Sequence, residues 1–141
     1  MHMFCNQCQE TTHNSGCIIR GICGKDPRTA ALQDYLLYAL KGFAFYGVQA
    51  RAHGMADETT DLFVAQALFA TLTNVNFDPE RIYQLTREAF ARRDHFRTQL
   101  TAYRAGDEAP SMAICSAEGD IEDYVQRDNP VDCAGSYKVE G

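Results

Sequence analysis

The sequence predicts an all-α protein, an antiparallel three-helix bundle preceded by an irregular, cysteine-rich loop. Apolar residues recur three and four positions apart over three long segments, and two of these segments open with an Asp-Pro pair. No segment alternates apolar and polar residues as a strand does, and short connections between helices favour antiparallel neighbours. We therefore divide the chain into a cluster-binding loop (1–26), a three-helix bundle (27–106) and a poorly patterned C-terminal tail (107–141).

The loop shows neither helical nor strand periodicity. Three glycines punctuate it, and glycine adopts backbone angles that let a chain wrap closely around a ligand. Few apolar residues are available for burial within it. The loop is therefore expected to need a ligand to hold its shape.

Three helices are predicted after the loop. The first begins at Pro27 behind an Asp N-cap and stops at the His-Gly pair 53–54. The second begins near Thr59 or Thr60 and runs to about Leu72 with a broad apolar face. The third follows the second Asp-Pro pair and runs from 79 to about 104. In the tail, only residues 120–125 have enough helical character for one or two turns.

Composition narrows the function classes. Acidic residues outnumber basic ones by 19 to 13, and no dense basic patch is present, which disfavours nucleic acid as a partner. The longest apolar-leaning stretch, 36–52, carries charged residues and is too short for a membrane span. No secretory signal is visible at the N-terminus, so a cytoplasmic location is expected.

Four of the six cysteines lie close together with the spacing C-x2-C-x8-C-x5-C, at Cys5, Cys8, Cys17 and Cys23. Clustered thiols in a reducing compartment more often bind metal than form disulfides, and thiolates suit both iron–sulfur clusters and zinc. Structural zinc sites usually take two C-x2-C pairs. The spacing thus favours an iron–sulfur cluster, while zinc and disulfides or idle thiols remain open.

The number of ligands bears on mechanism. If all four cysteines bind a [4Fe–4S] cube, each iron is saturated, and the cluster moves electrons without binding a substrate. Nearby positive charge favours the reduced cluster. We expect this charge from Arg20 and Lys25, and from the start of the first helix close behind Cys23.

Other candidate ligands are weaker. His13 lies inside the loop, but because four cysteines suffice we interpret it as a polar loop residue. Cys115 and Cys133 lie in the tail and are interpreted as structural or exposed thiols.

Long strings of the sequence resemble the N-terminal part of the hybrid cluster proteins, also called hydroxylamine reductases or prismane proteins. The matching strings are FCNQCQET, NSGCIIRGICGK, TAALQDYLLYALKGFAFYG, LFATLTNVNFD and EAFARRD. The resemblance runs from about Met3 to Arg97, and beyond that only GDIEDYV is similar. Strings of this length make zinc a minor alternative.

The resemblance implies that the four loop cysteines hold a cubane [4Fe–4S] cluster, or a [2Fe–2S] cluster as in one branch of the family. It implies relay of electrons to a separate hybrid cluster, where hydroxylamine is reduced to ammonia. The hybrid cluster's ligands come from later domains, and this chain ends before them.

We therefore expect an electron-entry module. Whether the chain is itself an enzyme is left undecided by the sequence. Its expected partners are an electron-donor protein and a missing catalytic portion or subunit, and its oligomeric state is left open. The alternative is a redox or nitric-oxide sensor, or a structural metal domain, without turnover.

Overall fold

The computed structural model describes residues 3–55, 57–103, 109–115 and 118–126. Three long helices, α1 (Pro27–Ala52), α2 (Glu58–Ala70) and α3 (Pro79–Gln99), follow the loop and confirm the predicted all-α bundle. Two short helices lie in the tail, α4 (Ser111–Ile114) and α5 (Ile121–Gln126). Within the described ranges, none of the helices is long and apolar enough to cross a membrane.

An aspartate caps each long helix. Asp26, Asp57 and Asp78 accept backbone N–H hydrogen bonds at 2.7, 2.7 and 3.0 Å from residues two or three positions onward. These bonds satisfy donors that a helix start would otherwise leave unpaired. The predicted starts of α1 and α3 are confirmed, and α2 begins at Glu58, one or two residues earlier than predicted, because Asp57 serves as its cap.

Two helix ends differ from prediction. The second helix stops at Ala70, not near residue 72, and the Thr71 hydroxyl donates to the Leu68 carbonyl at 2.8 Å in the turn that follows. The third helix ends at Gln99 and tightens into a 3₁₀ turn over Leu100–Tyr103, a common way for a last turn to satisfy its carbonyls.

The core lies mainly between α1 and α3. Leu32 and Leu36 of α1 are fully buried, and Phe43 stacks on Phe96 of α3 with ring centroids 5.6 Å apart. By contrast, α2 buries only Thr60, Phe63, Ala67 and Ala70. Much of its broad apolar face, including Leu62 and Phe69, stays exposed.

The described part of the tail packs onto the bundle. Its buried residues are Ala113, Cys115, Tyr124 and Val125. A Cβ atom at Gly42 of α1 would lie 2.0 Å from the carbonyl oxygen of Met112, so only glycine permits this approach of α4. The predicted helical turn near residues 120–125 is confirmed as α5, whereas Cys133 and the last fifteen residues lie outside the described ranges.

Candidate metal centre

The first and third cysteines lie side by side on two paired backbone segments. Cys5 and Cys17 form an isolated antiparallel bridge, with N–H to carbonyl distances of 3.0 and 2.9 Å. A further bond of 3.2 Å joins Met3 to the carbonyl of Ile18. Backbone pairing therefore sets the relative position of these two thiols.

A glycine closes the first arc of the loop. Gly16 has a φ of +155°, and a Cβ atom there would lie 2.5 Å from the Phe4 ring. Glycine thus allows Phe4 to lie across the loop just before Cys17.

A compact turn presents the fourth cysteine. The N–H of Gly21 donates to the carbonyl of Lys25, and the N–H of Gly24 donates to the carbonyl of Gly21, both at 2.8 Å. Gly24 has a φ of +94°, which disfavours residues with a side chain. Cys23 lies inside this turn and is held by it.

All four predicted cysteines are free thiols in the loop. Cys17 is buried, and Cys5, Cys8 and Cys23 are half-buried. Over the described residues, no three His, Cys, Asp or Glu side chains form a group that could hold a single metal ion.

The thiol of Cys17 accepts a hydrogen bond from Thr12 and has a lowered pKa. The backbone N–H groups of Thr12 and Ile22 and the Thr12 hydroxyl, 3.7 Å from the sulfur, lower the pKa of Cys17, while burial opposes them. Lys25 adds a weaker lowering effect. Donors aimed at one sulfur favour its thiolate, which is the form that binds metal.

A buried cation lies against the first cysteine. Lys25 is 2% exposed, and its Nζ lies 3.7 Å from the Sγ of Cys5 and 3.1 Å from the Oε1 of Gln7. A buried ammonium is costly unless a negative group is close. The arrangement therefore suits negative charge on the loop sulfurs.

A cleft of about 300 Å³ separates the loop from the side of α1. Gln33 lines it and donates from Nε2 to the carbonyl of Asn76 at 3.0 Å. Asp34 also lines it, and burial raises the pKa of this carboxyl to about 6, against the opposing effects of Lys25 and Lys41. The side of the first turns of α1 thus faces the loop across this cleft.

The remaining candidates lie apart from these sulfur contacts. His13 is exposed at a φ of +53°, as a polar loop residue would be. Cys115 is buried in the bundle, with its Sγ 3.9 Å from the Oη of Tyr35. Cys133 lies outside the described residues.

Sequence reasoning missed Thr12 and Gln7 as partners of the site. Both contacts depend on how the loop folds back on itself, since Thr12 reaches Cys17 across the arc and Gln7 meets Lys25 from 18 positions away. The one available signal was the polar residue at position 12, since a hydroxyl in a loop that surrounds the thiols can donate a hydrogen bond to sulfur.

The donor set fits a thiolate-bound, negatively charged group. Four soft sulfur donors come from one loop, the Thr12 hydroxyl donates to Cys17, and a buried ammonium lies beside Cys5. These features together suit an iron–sulfur cluster, whose sulfurs accept such bonds.

Comparison with known proteins gives consistent matches. The family model described as the Prismane/CO dehydrogenase family matches residues 3–135, well past Arg97, where the similarity was expected to fade. The chain is 43% identical over 138 residues to the hydroxylamine reductase of Halothermothrix orenii, covering 93% of this chain and 25% of that protein. It is 53% identical over 93 residues to the hydroxylamine reductase of Petrotoga mobilis, covering 66% of this chain and 17% of that protein.

A third relative, the hydroxylamine reductase of Geobacter sulfurreducens, is 46% identical over 134 residues, covering 90% of this chain and 24% of that protein. The chain thus spans about a quarter of the length of the curated relatives it matches.

Proposed function

The chain belongs to the Prismane/CO dehydrogenase family, with the hybrid cluster proteins, and on this premise we propose that it is an electron-transfer module. In this proposal Cys5, Cys8, Cys17 and Cys23 hold a [4Fe–4S] cluster. The module passes electrons toward the reduction of hydroxylamine or nitric oxide.

The surroundings of Cys17 carry the proposal. The Thr12 hydroxyl donates to its sulfur at 3.7 Å, the backbone N–H groups of Thr12 and Ile22 lower its pKa, and Lys25 places a buried positive charge beside Cys5. Hydrogen bonds and positive charge both stabilise sulfur ligands of an anionic cluster.

The ligand count indicates electron relay. When bound, a [4Fe–4S] cluster supplies a one-electron couple, and its potential depends on hydrogen bonds to sulfur and on solvent exposure. If Cys5, Cys8, Cys17 and Cys23 each bound one iron, the chain would leave no coordination position open for a substrate. The role of the chain's own residues is to hold the cluster and to donate hydrogen bonds to its sulfur ligands.

The destination of the electrons rests on the relatives. Proteins that match this chain are named hydroxylamine reductases, and they are about four times as long as the matched segment. The reducing centre is therefore assigned to a further portion or subunit, and the described loop has only the relay role.

The test is anaerobic purification followed by iron and sulfide analysis and EPR spectroscopy. We expect about four irons and four sulfides per chain, with a reversible one-electron couple. The Cys17→Ala variant should lose this content, whereas the matched Cys115→Ser variant should retain it, because Cys115 lies in the bundle. One zinc per chain without iron would favour a structural metal domain instead.

Activity provides a second criterion. The chain alone should not turn over hydroxylamine, although its cluster is reduced and reoxidised. Hydroxylamine turnover by the isolated chain would contradict the relay role, even if four irons are present.

A further inference from the structure

Two successive residues of the cysteine loop have a left-handed backbone. His13 and Asn14 have φ values of +53° and +56°, within the short turn Thr12–Asn14. Residues other than glycine adopt this conformation rarely, and it persists where the surrounding structure holds it. Both side chains are exposed, so burial of these side chains does not account for the conformation.

Hydrogen bonds fix the peptide units on both sides of Thr12. The N–H of Asn14 donates to the carbonyl of Thr11 at 3.0 Å. The carbonyl of Thr12 accepts from the N–H and the hydroxyl of Ser15 at 3.1 and 3.0 Å, and from the N–H of Gly16 at 3.4 Å. Both carbonyls that flank the Cα atom of Thr12 are therefore held in place.

The direction of these two peptide units determines where Thr12 points. In a trans peptide the carbonyl and the N–H lie in one plane and point in opposite directions, so a bond to the Thr11 carbonyl also orients the Thr12 N–H. That N–H lowers the pKa of Cys17, and the Thr12 hydroxyl donates to the Cys17 sulfur at 3.7 Å. The turn thus holds Thr12 beside one of the proposed cluster ligands.

We propose that the turn over residues 13–15 is a positioning element, which holds Thr12 against the sulfur of Cys17 and thereby raises the reduction potential of the cluster. The inference rests on the proposed function and adds residues that act only through Thr12. Hydrogen bonds to a ligand sulfur stabilise the more negative, reduced cluster, so they raise its potential. If the turn loosens, Thr12 moves away and the potential falls.

A simple reversal of the chain is the competing explanation for the turn. It would need no particular orientation of Thr12 and no bonds to the peptide units on both sides of that residue. Three donors nevertheless converge on the Thr12 carbonyl, and a fourth holds the carbonyl before it. The two explanations differ in the effect that a change at Asn14 has on the potential.

Asn14→Val tests the turn, because a β-branched side chain strongly disfavours a positive φ. In the cluster-loaded chain its potential should be more negative by about 30 mV, a threefold change in the equilibrium constant for one electron. Asn14→Gly keeps the conformation accessible and should shift the potential by less than about 10 mV, or 1.5-fold. Redox titration followed by EPR measures these shifts, after iron analysis of each variant.

Asn74→Val is the matched control. Asn74 is exposed and has a φ of +61° in the turn between α2 and α3, outside the cysteine loop. Asn74→Val should lose stability to denaturant as Asn14→Val does, yet keep the potential of the unmodified chain. Equal shifts of potential in the two valine variants would overturn the proposal. So would an unchanged potential in Asn14→Val, or a shift in Asn14→Gly as large as the shift in Asn14→Val.

A double variant tests whether the turn acts through Thr12. When Thr12→Val and Asn14→Val are combined, the shift of potential should be smaller than the sum of the two single shifts, because both changes remove the same hydroxyl contact. Fully additive shifts would mean that the turn acts on a group other than Thr12, and the positioning role would be wrong.

Amide hydrogen exchange measures the turn without the cluster. In the iron-free chain the N–H groups of residues 14 and 15 should exchange slowly, because both donate within the turn. They should exchange at least tenfold faster in Asn14→Val and at an unchanged rate in Asn74→Val. Exchange as fast as in an unstructured peptide would overturn the positioning role. Protected amides in an unmodified chain that takes up no iron would contradict the proposed function and not the hold of the turn on Thr12.

Discussion

The ammonium of Lys25 lies 3.7 Å from the sulfur of Cys5, although twenty residues separate them in the chain. The side chain is buried, its other hydrogen bond goes to the neutral amide of Gln7, and the carboxyl of Asp34, which lines the same cleft, acts on it through charge alone. Because burial removes the hydration of an ammonium, a negative partner is needed to offset the loss. The pKa of Asp34 is raised to about 6, so this carboxyl supplies part of that charge at neutral pH, and the sulfur of Cys5, as a thiolate or as a cluster ligand, is in direct contact to supply the rest.

Replacing Lys25 should therefore shift the reduction potential. In Lys25→Met the positive charge beside Cys5 is lost, which disfavours the more negative reduced cluster. We expect a potential more negative by on the order of 60 mV, equal to about 1.4 kcal/mol for one electron. Lys25→Glu should shift it further in the same direction, as redox titration followed by EPR would measure.

Lys41→Met is the matched control for this prediction, since Lys41 lies exposed on α1. Its potential should stay close to that of the unmodified chain. Equal shifts for the two variants would mean that overall charge, and not the contact with Cys5, sets the potential.

Thr12 offers a test of the hydrogen bonds to Cys17. Thr12→Val removes the hydroxyl that lies 3.7 Å from the sulfur and keeps the backbone N–H that also lowers the pKa. In the cluster-free chain, the pKa of Cys17 should rise, so its alkylation by iodoacetamide near neutral pH should slow. Thr12→Ser restores a hydroxyl and should restore the rate. If neither change affects the alkylation rate, the Thr12 hydroxyl does not lower the pKa of Cys17.

Local signals predicted much of the fold. Asp26 and Asp78 cap their helices as the Asp-Pro pairs indicated, and the apolar spacing of α1 and α3 matches their buried faces. These features depend on residues within a few positions of one another, so the sequence displays them directly. The four cysteines form a local pattern too, and their role as ligands stays a prediction.

Contacts between distant segments could not be predicted in this way. Periodicity cannot be detected in α4, which has four residues, so the burial of Cys115 beside it gave no signal. The sequence also gives no sign that one side of α2 is exposed. An apolar residue such as Phe69 has the same sequence pattern whether or not a neighbouring element covers it. The contact of Lys25 with Cys5 depends on a loop whose path periodicity does not describe.

Two glycines of α1 provide a matched test of tail packing. At Gly42 a Cβ atom would lie 2.0 Å from the carbonyl oxygen of Met112, so Gly42→Ala should displace α4 and cost about 1–3 kcal/mol of unfolding free energy. At Gly47 no atom lies within 4 Å, so Gly47→Ala should stabilise the helix by about 0.5–1 kcal/mol. Chemical denaturation of both variants would measure the difference, and effects of the same sign would contradict the close approach of α4.

Asp34 should make stability depend on pH. Its pKa is raised from 3.8 to about 6 in the folded chain, mainly by burial, so the fold disfavours the ionised carboxylate. Stability should therefore fall as pH rises from about 4 through 6 and then level off, because the unfolded chain releases this proton first. Asp34 lines the cleft between the loop and α1, but the residue as a whole is exposed to solvent, so screening by water reduces the expected penalty at neutral pH to about 1 kcal/mol. Asp34→Asn should recover this amount at pH 7.5, about half of it at pH 5 and little of it at about pH 3.5, in denaturation curves of the unmodified chain and the variant. Since Lys41 opposes the rise in the pKa of Asp34, Lys41→Met should enlarge the penalty. A gain in stability from Asp34→Asn that is the same at every pH would show that ionisation of this carboxyl is not the cause of the pH dependence.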